Sequence, residues 1–174
     1  MARFTRPSLV LAMTLLFIPR LPAQPAASPV TAACNFDANN QLAVEYEPVT
    51  VDVKKQLFGR EIPYNRAWAP GGRPLTMFLN HPVLVGGKQL PIGAYTMFVI
   101  PSEKQWTLVI SRSTDTSGKY DEHADLVRVP MERGELPSPE NSFSVYFAHV
   151  APDQCSMRLD VAKERAWVVF EEKK

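Results

Sequence analysis

The sequence predicts an all-β fold: an antiparallel two-sheet β-sandwich with little helix, a closed β-barrel being the main rival. Three observations carry this. Apolar and polar residues alternate at period two in one segment after another. Turn signals recur roughly every 8 to 12 residues. No stretch longer than a turn or two carries an apolar helical stripe, the best candidates being residues 53–58 and 121–127.

The N-terminus has the layout of a signal peptide. Arg3 and Arg6 precede an apolar run over residues 9–18, and no acid interrupts them. That run is far shorter than the roughly 20 residues a bilayer-spanning helix needs, and Pro19 and Pro22 stop its continuation. Leu21-Pro22-Ala23 places cleavage near Ala23, with Ala26 or Ala27 as alternatives, so residues 1–23 read as a signal peptide. Residues 24–33 read as a Pro/Ala-rich leader, and 34–174 as a single β domain in an exported protein, periplasmic or secreted, with no membrane span. Cleavage removes Arg3, Arg6 and Arg20, leaving 16 of the 19 basic residues against 18 acidic ones. A slightly acidic mature chain argues against nucleic acid as a partner, because phosphate binding requires a clustered basic excess.

Two cysteines in an exported chain read as a disulfide, Cys34 to Cys155, since the compartment is oxidising and no third thiol competes. A loop of about 120 residues gives roughly 4 to 5 kcal/mol of stabilisation in the chain-entropy model.

From Cys34 onward the strands follow in order. Leu42, Val44 and Tyr46 alternate with Glu45 and Glu47, and Val49, Val51 and Val53 resume the pattern after Pro48. Residues 75–80 and 83–85 are apolar, Gly86-Gly87 is a two-residue hairpin turn, and residues 88–90 form the return strand. Leu90-Pro91-Ile92-Gly93 is a type I turn into residues 94–100, and Pro101-Ser102-Glu103-Lys104 connects to 105–111. Residues 112–124 are polar and aperiodic, a long surface loop. Leu126, Val129 and Met131 mark a short strand, at a sheet edge because of Pro130, and 132–141 reads as another loop because of Gly134, Pro137 and Pro139. Phe143, Val145 and Phe147, then Met157, Leu159 and Val161, restore period two. Residues 166–170 are apolar on both faces, as in a central strand.

Gly93-Ala94-Tyr95-Thr96-Met97-Phe98-Val99-Ile100-Pro101 followed by Trp106-Thr107-Leu108-Val109-Ile110 resembles the core signature of the bacterial family catalogued as domain of unknown function 2911. Pro63-Tyr64-Asn65-Arg66-Ala67-Trp68 and Val85-Gly86-Gly87-Lys88-Gln89-Leu90-Pro91 look like its flanking segments, so the resemblance spans about residues 41–171. It implies an exported, compact, β-rich protein without an assigned activity. The family's segment tends to continue after its Trp with Arg and then Gly-Ala-Asn. Here Trp68 is followed by Ala69-Pro70-Gly71-Gly72-Arg73, which alters any polar site built from those residues, unless Arg73 supplies the cation from a new place.

Catalytic signatures are missing. There is no Gly-x-Ser-x-Gly, His-Glu-x-x-His or Cys-x-x-Cys, and Gly86-Gly87-Lys88 lacks the first glycine of a phosphate loop. His81, His123 and His149 are weak metal candidates with Asp121 or Asp125, because their spacing gives no support for a shared ion. Trp106 and Trp167 sit in apolar strands and read as core. Trp68 lies in a loop and, with Tyr64 and Arg73, forms the best candidate for binding a small ligand. Glu45, Glu47, Asp121 and Glu122 read as a solvated face rather than a calcium site.

The sequence thus favours a non-catalytic exported binding or scaffold module of the cell envelope, presenting loops 63–74 and 112–124. It calls for no cofactor, and its partner is an unknown small ligand or envelope protein. Two rivals stand beside it: a metal-assisted hydrolase using His81, His123 and His149, and a subunit of an envelope complex.

Overall fold

A computed structural model describes residues 28–36 and 39–174. The signal peptide, its cleavage near Ala23 and residues 24–27 of the expected leader lie outside the described residues.

The strands are β1 (Val30–Asn35), β2 (Gln41–Tyr46), β3 (Leu75–Leu79), β4 (Val83–Val85), β5 (Lys88–Leu90), β6 (Gly93–Ile100), β7 (Trp106–Ser111), β8 (Asp125–Ala151) and β9 (Gln154–Glu172). Single 3-10 turns at Pro70–Gly72 and Glu122–Ala124 are the helical content among the described residues. Only the second lies in a stretch the sequence offered as helix, and residues 53–58 form no helix.

All strand pairs are antiparallel and form one sheet in the order β1-β2-β3-β6-β7-β8-β9-β4-β5. β1 and β5 end that order without pairing to each other, so the sheet is not closed and the barrel alternative is corrected. The β4–β5 hairpin leaves the line between β3 and β6 and docks on the far side, through β4 against β9. Its Gly86 and Gly87 have φ of 56° and 75°, the positive values that a two-residue primed turn demands at both positions.

β8 joins the two halves of the sheet. Its first residues pair with β7 (Leu108↔Val129, Trp106↔Met131), and from Glu132 onward it pairs with β9. Pro130 therefore sits where β8 has a ladder partner on one side, which is the edge position its missing N–H allows. The expected loop over 132–141 is instead part of this strand. Pro137 and Pro139 fall in the gap where the register shifts between Glu135 and Glu140, so they cost no ladder bond. Those prolines and Gly134 erase the alternation that would have revealed a continuous strand.

β9 carries a bulge of its own. Met157, Leu159 and Val161 are buried before it, whereas Ala166, Val168 and Phe170 are buried after it, so the inward parity changes from odd to even. The extra residue falls around Ala162, whose φ is 53°. This shift turns Trp167 away from the core. It is half-buried, with its ring over Gly134, which corrects the expectation that it is a core residue.

One core gathers inward residues from both halves, among them Leu42, Met77, Met97, Leu108, Phe143 and Leu159, together with Trp106, which is 0% exposed. Cys34–Cys155 joins β1 to β9, and Thr50 bridges Ser142. That bridge is the remnant of the strand expected over 49–53, the rest of which is irregular. β1 begins at Val30, ahead of the expected start at Cys34. Small residues and a burial pattern with only Cys34 inside hid it from a hydrophobicity reading.

Candidate functional site

The long β2–β3 connection folds against the β8–β9 ribbon at the break in its ladder. Leu57 O accepts hydrogen bonds from Glu61 N (2.9 Å), Ile62 N (3.0 Å) and Arg60 N (3.2 Å), and Gly59 N donates to Ile62 O at 2.8 Å. Gly59 has φ 82°, and a Cβ there would stand 3.5 Å from the Tyr64 ring, so the turn admits the ring closely above it. Asn65 follows with φ 58° and donates its N–H to Pro101 O at 2.8 Å. Trp68 and Val99 exchange backbone hydrogen bonds at 2.7 and 3.1 Å. Segment 63–68 is thus fastened to the end of β6.

This arrangement sets three aromatic rings in file, the outer pair stacked and the inner pair tilted. Tyr64 lies on Phe58 (centroids 6.2 Å, planes 17° apart), and Phe58 lies on buried Trp106 at 5.6 Å. The Arg133 guanidinium sits over the same indole at 5.7 Å and is ion-paired to Glu164. In front of the outer two rings is a cavity of about 400 Å³, lined by Val53, Leu57, Phe58 and Tyr64 on one side and by Pro139, Ala162 and Glu164 on the other. Its far wall is formed by the two features that break the β8–β9 ladder: the unpaired proline stretch and the bulge at Ala162. Ala162 is a Cβ-bearing residue held in the left-handed region, a conformation that surrounding structure must enforce.

The sequence-selected trio does not converge. Tyr64 lines the cavity just described. Trp68 lines a different one of about 300 Å³ with Val49, Ile62 and Gly71, and packs edge-on to Phe143 at 5.5 Å. Arg73 lines a third of about 230 Å³ with Tyr46, Glu47 and Phe78, and its Nη1 donates to Glu47 Oε1 at 3.0 Å. Glu47 is therefore one half of an ion pair rather than part of a free acidic face.

Nor do the histidines meet. His81 Nε2 is 2.8 Å from Lys173 O and 3.9 Å from Glu172. His123 is exposed in the second 3-10 turn, where its N–H donates to Asp121 Oδ1 at 3.0 Å. His149 stands beside the cysteine pair, with Nε2 3.7 Å from Cys34 Sγ and Nδ1 3.7 Å from Cys155 Sγ. The structure joins Cys34 and Cys155 as a disulfide with Cα atoms 6.5 Å apart, a separation such bridges use.

Two polar networks had no counterpart in the sequence reading. Tyr120 Oη donates to Asp125 Oδ2 at 2.6 Å, and Arg128 donates to both, through Nε to Asp125 (2.7 Å) and Nη2 to Tyr120 (2.7 Å). Burial first, and then the Asp125 hydrogen bond and charge, push the Tyr120 phenol up to about 12, so it remains a proton donor at neutral pH. Farther along, buried Asp160 accepts two hydrogen bonds from Arg165, at 2.8 and 2.7 Å, and the Arg165 guanidinium covers the Tyr146 ring at 5.3 Å. Arg165 spans the Ala162 bulge, so no regular strand spacing would have paired it with Asp160.

A family model described as a protein of unknown function, DUF2911, matches residues 28–170, nearly the whole described chain. The chain belongs to the DUF2911 family. No curated protein and no solved structure gives a significant match to it. The matched span covers this DUF2911 domain from just before β1 to the end of the buried run in β9, including the ring file and both ladder breaks.

Proposed function

We propose that this DUF2911 protein is an exported, non-catalytic binding module of the cell envelope, and that its ligand occupies the cavity in front of Tyr64 and Phe58. The observation that carries the proposal is the cavity's construction. At about 400 Å³ it falls within the range of small-molecule sites, and it sets aromatic and aliphatic walls beside polar groups from Tyr64, Lys55, Gln56, Lys163 and Glu164. Its aromatic wall rests on Trp106, in the core, so the surface offered to a ligand is pre-formed. The chemistry that fits is a small molecule with a flat apolar portion, stacked on the outer rings, and a polar end toward Glu164.

Export rests on the N-terminal segment, which has the charge and apolar pattern of a cleavable signal. Among the described residues no helix is long and apolar enough to cross a membrane. We also read the fold as two layers of one curled sheet closing over the shared core, a sandwich in which β8 passes from one layer to the other. The bridge from β1 to β9 and the Thr50–Ser142 contact support that reading.

The binding proposal is tested with indole and p-cresol as probes, titrated calorimetrically into the wild type, Tyr64→Ala and Trp68→Ala. Loss of one stacked ring costs about 1 kcal/mol, so Tyr64→Ala is expected to weaken binding roughly five- to tenfold while Trp68→Ala leaves it unchanged. Equal affinities for all three proteins would remove the cavity from consideration.

A further inference from the structure

We propose that Cys34, Cys155 and His149 form a redox-gated site for a thiophilic divalent metal ion of the zinc class, which is assembled when the disulfide is reduced. Among the described residues this is the group of three or more potential ligands whose donor atoms converge, all lying within 4.8 Å of one another.

Three separate strands deliver the ligands. His149 and Cys155 are direct partners in the β8–β9 ladder, and Cys34 arrives on β1, which is held by six ladder pairs to β2. The donor atoms are therefore placed by hydrogen-bonded backbone rather than by a loop. The sulfurs are buried, at 3% and 0% exposure for Cys34 and Cys155, whereas His149 is exposed and covers them from the solvent side.

The distances suit a tetrahedral ion. Zinc–sulfur bonds of about 2.3 Å and zinc–nitrogen bonds of about 2.0–2.1 Å at tetrahedral angles put sulfur and nitrogen about 3.6 Å apart. Nε2 of His149 is 3.7 Å from Cys34 Sγ and Nδ1 is 3.7 Å from Cys155 Sγ, so a turn of the ring brings one nitrogen within reach of both sulfurs. The sulfurs must also separate, to about 3.8 Å by the same geometry. With Cα atoms 6.5 Å apart, rotation about the two Cα–Cβ bonds supplies it. Thiolate and imidazole are the donors that favour zinc over magnesium or calcium. Three protein ligands leave a fourth position for water at the exposed side.

The chemistry balances with a dithiol as reductant. The dithiol gives two electrons and two protons to the bridge and closes its own disulfide. The Cys34–Cys155 bond breaks, leaving two thiols. The ion then replaces both thiol protons, which go to solvent, and takes one lone pair from a His149 nitrogen while the other ring nitrogen keeps its hydrogen. Oxidation of the pair reverses the sequence and expels the ion. The site is thus closed to metal in an oxidising compartment and open in a reducing one.

Cobalt(II) is the probe, because thiolate coordination gives it a sulfur-to-metal charge-transfer band and a tetrahedral site gives intense visible bands. Full-length protein without a His tag is reduced with a dithiol, desalted without oxygen and titrated with cobalt, then zinc. The expected result is one cobalt per reduced chain, displaced by one zinc, and no band from the oxidised chain. His149→Ala, an exposed substitution, is expected to weaken binding at least tenfold. No charge-transfer band from the reduced chain, a band from the oxidised chain, or unchanged affinity in His149→Ala would each overturn the proposal. If reduction unfolds the chain, zinc is expected to restore its β-type circular dichroism, and a chain that zinc does not refold would also overturn it.

Discussion

Opening the Cys34–Cys155 bridge is expected to lower the melting temperature strongly while leaving the native fold in place. The cysteines are 121 residues apart in sequence. For a loop of that length the chain-entropy relation gives about 5 kcal/mol, acting through the unfolded chain, as an upper value. A domain of this size loses about 2–4 °C of melting temperature per kcal/mol, so the expected fall is about 10–20 °C. The structure also says what should not change. β1 remains paired to β2 from Val30↔Tyr46 to Asn35↔Gln41, and its contact with the core does not depend on the sulfur bond alone. Thermal melts by circular dichroism, with and without reductant in metal-free buffer, and on a Cys34→Ala/Cys155→Ala double variant, measure the effect. A melting temperature that reductant does not move would refute the reasoning. Loss of the β spectrum at 25 °C on reduction would contradict it in the other direction, by showing that β1 is held by the bridge rather than by its ladder.

Three further substitutions probe the ladder breaks and the polar networks. Ala162→Gly relieves a left-handed conformation that costs a Cβ-bearing residue about 1–2 kcal/mol, against about 0.5–1 kcal/mol of added unfolded-chain freedom. Denaturant unfolding should therefore show a gain of about 0.5–1 kcal/mol, and a clear loss would mean that the bulge is not strained. Arg165→Ala leaves the buried Asp160 carboxylate without its two charged donors and is expected to cost about 2 kcal/mol, read from the same unfolding curves. Tyr120, with its folded pKa raised to about 12 from an ordinary value near 10, favours the folded state while it stays protonated. That contribution is complete below pH 10 and is lost as the pH rises from 10 through about 12. Stability should therefore fall more steeply over that window in the wild type than in Tyr120→Phe, and identical slopes would show that the phenol titrates normally.

Period-two hydrophobicity made most of the strands legible. β4, β5 and the Gly86-Gly87 turn fall at the residues expected, and β3, β6 and β7 within one residue at an end, because each buries one face cleanly and is bounded by turn residues. The pattern failed where local chemistry and pairing part company. In β8, Gly134, Pro137 and Pro139 look like a loop, yet a strand can carry them at a register shift where no donor is needed. In β9 a single extra residue at Ala162 reverses which face is inward, and Trp167, read as core because residues 166–170 are apolar on both faces, lies outside it.

The candidate site was only partly legible for a related reason. Tyr64 was singled out by its place in a loop, and it does line the aromatic cavity. Phe58, its stacking partner, stood at the end of a short helix candidate over 53–58, and the cavity's far wall comes from positions about a hundred residues further along the chain. Trp68 and Arg73 were grouped with Tyr64 by proximity in sequence, but the backbone exchange between Trp68 and Val99 and the Arg73–Glu47 ion pair send them to other cavities. The approach of the two cysteines was readable from composition, since no third thiol competes. The approach of His149 to both sulfurs was not, since it depends on the β8–β9 register and on β1 crossing to meet it.

Amide shift mapping with indole on isotope-labelled wild type tests most directly whether the ring-walled cavity is the binding site. The account predicts that the largest changes cluster at residues 55–58, 64 and 162–164, on both walls of that cavity. Changes confined to the surroundings of Trp68 or Arg73, or no saturable change at all, would contradict it.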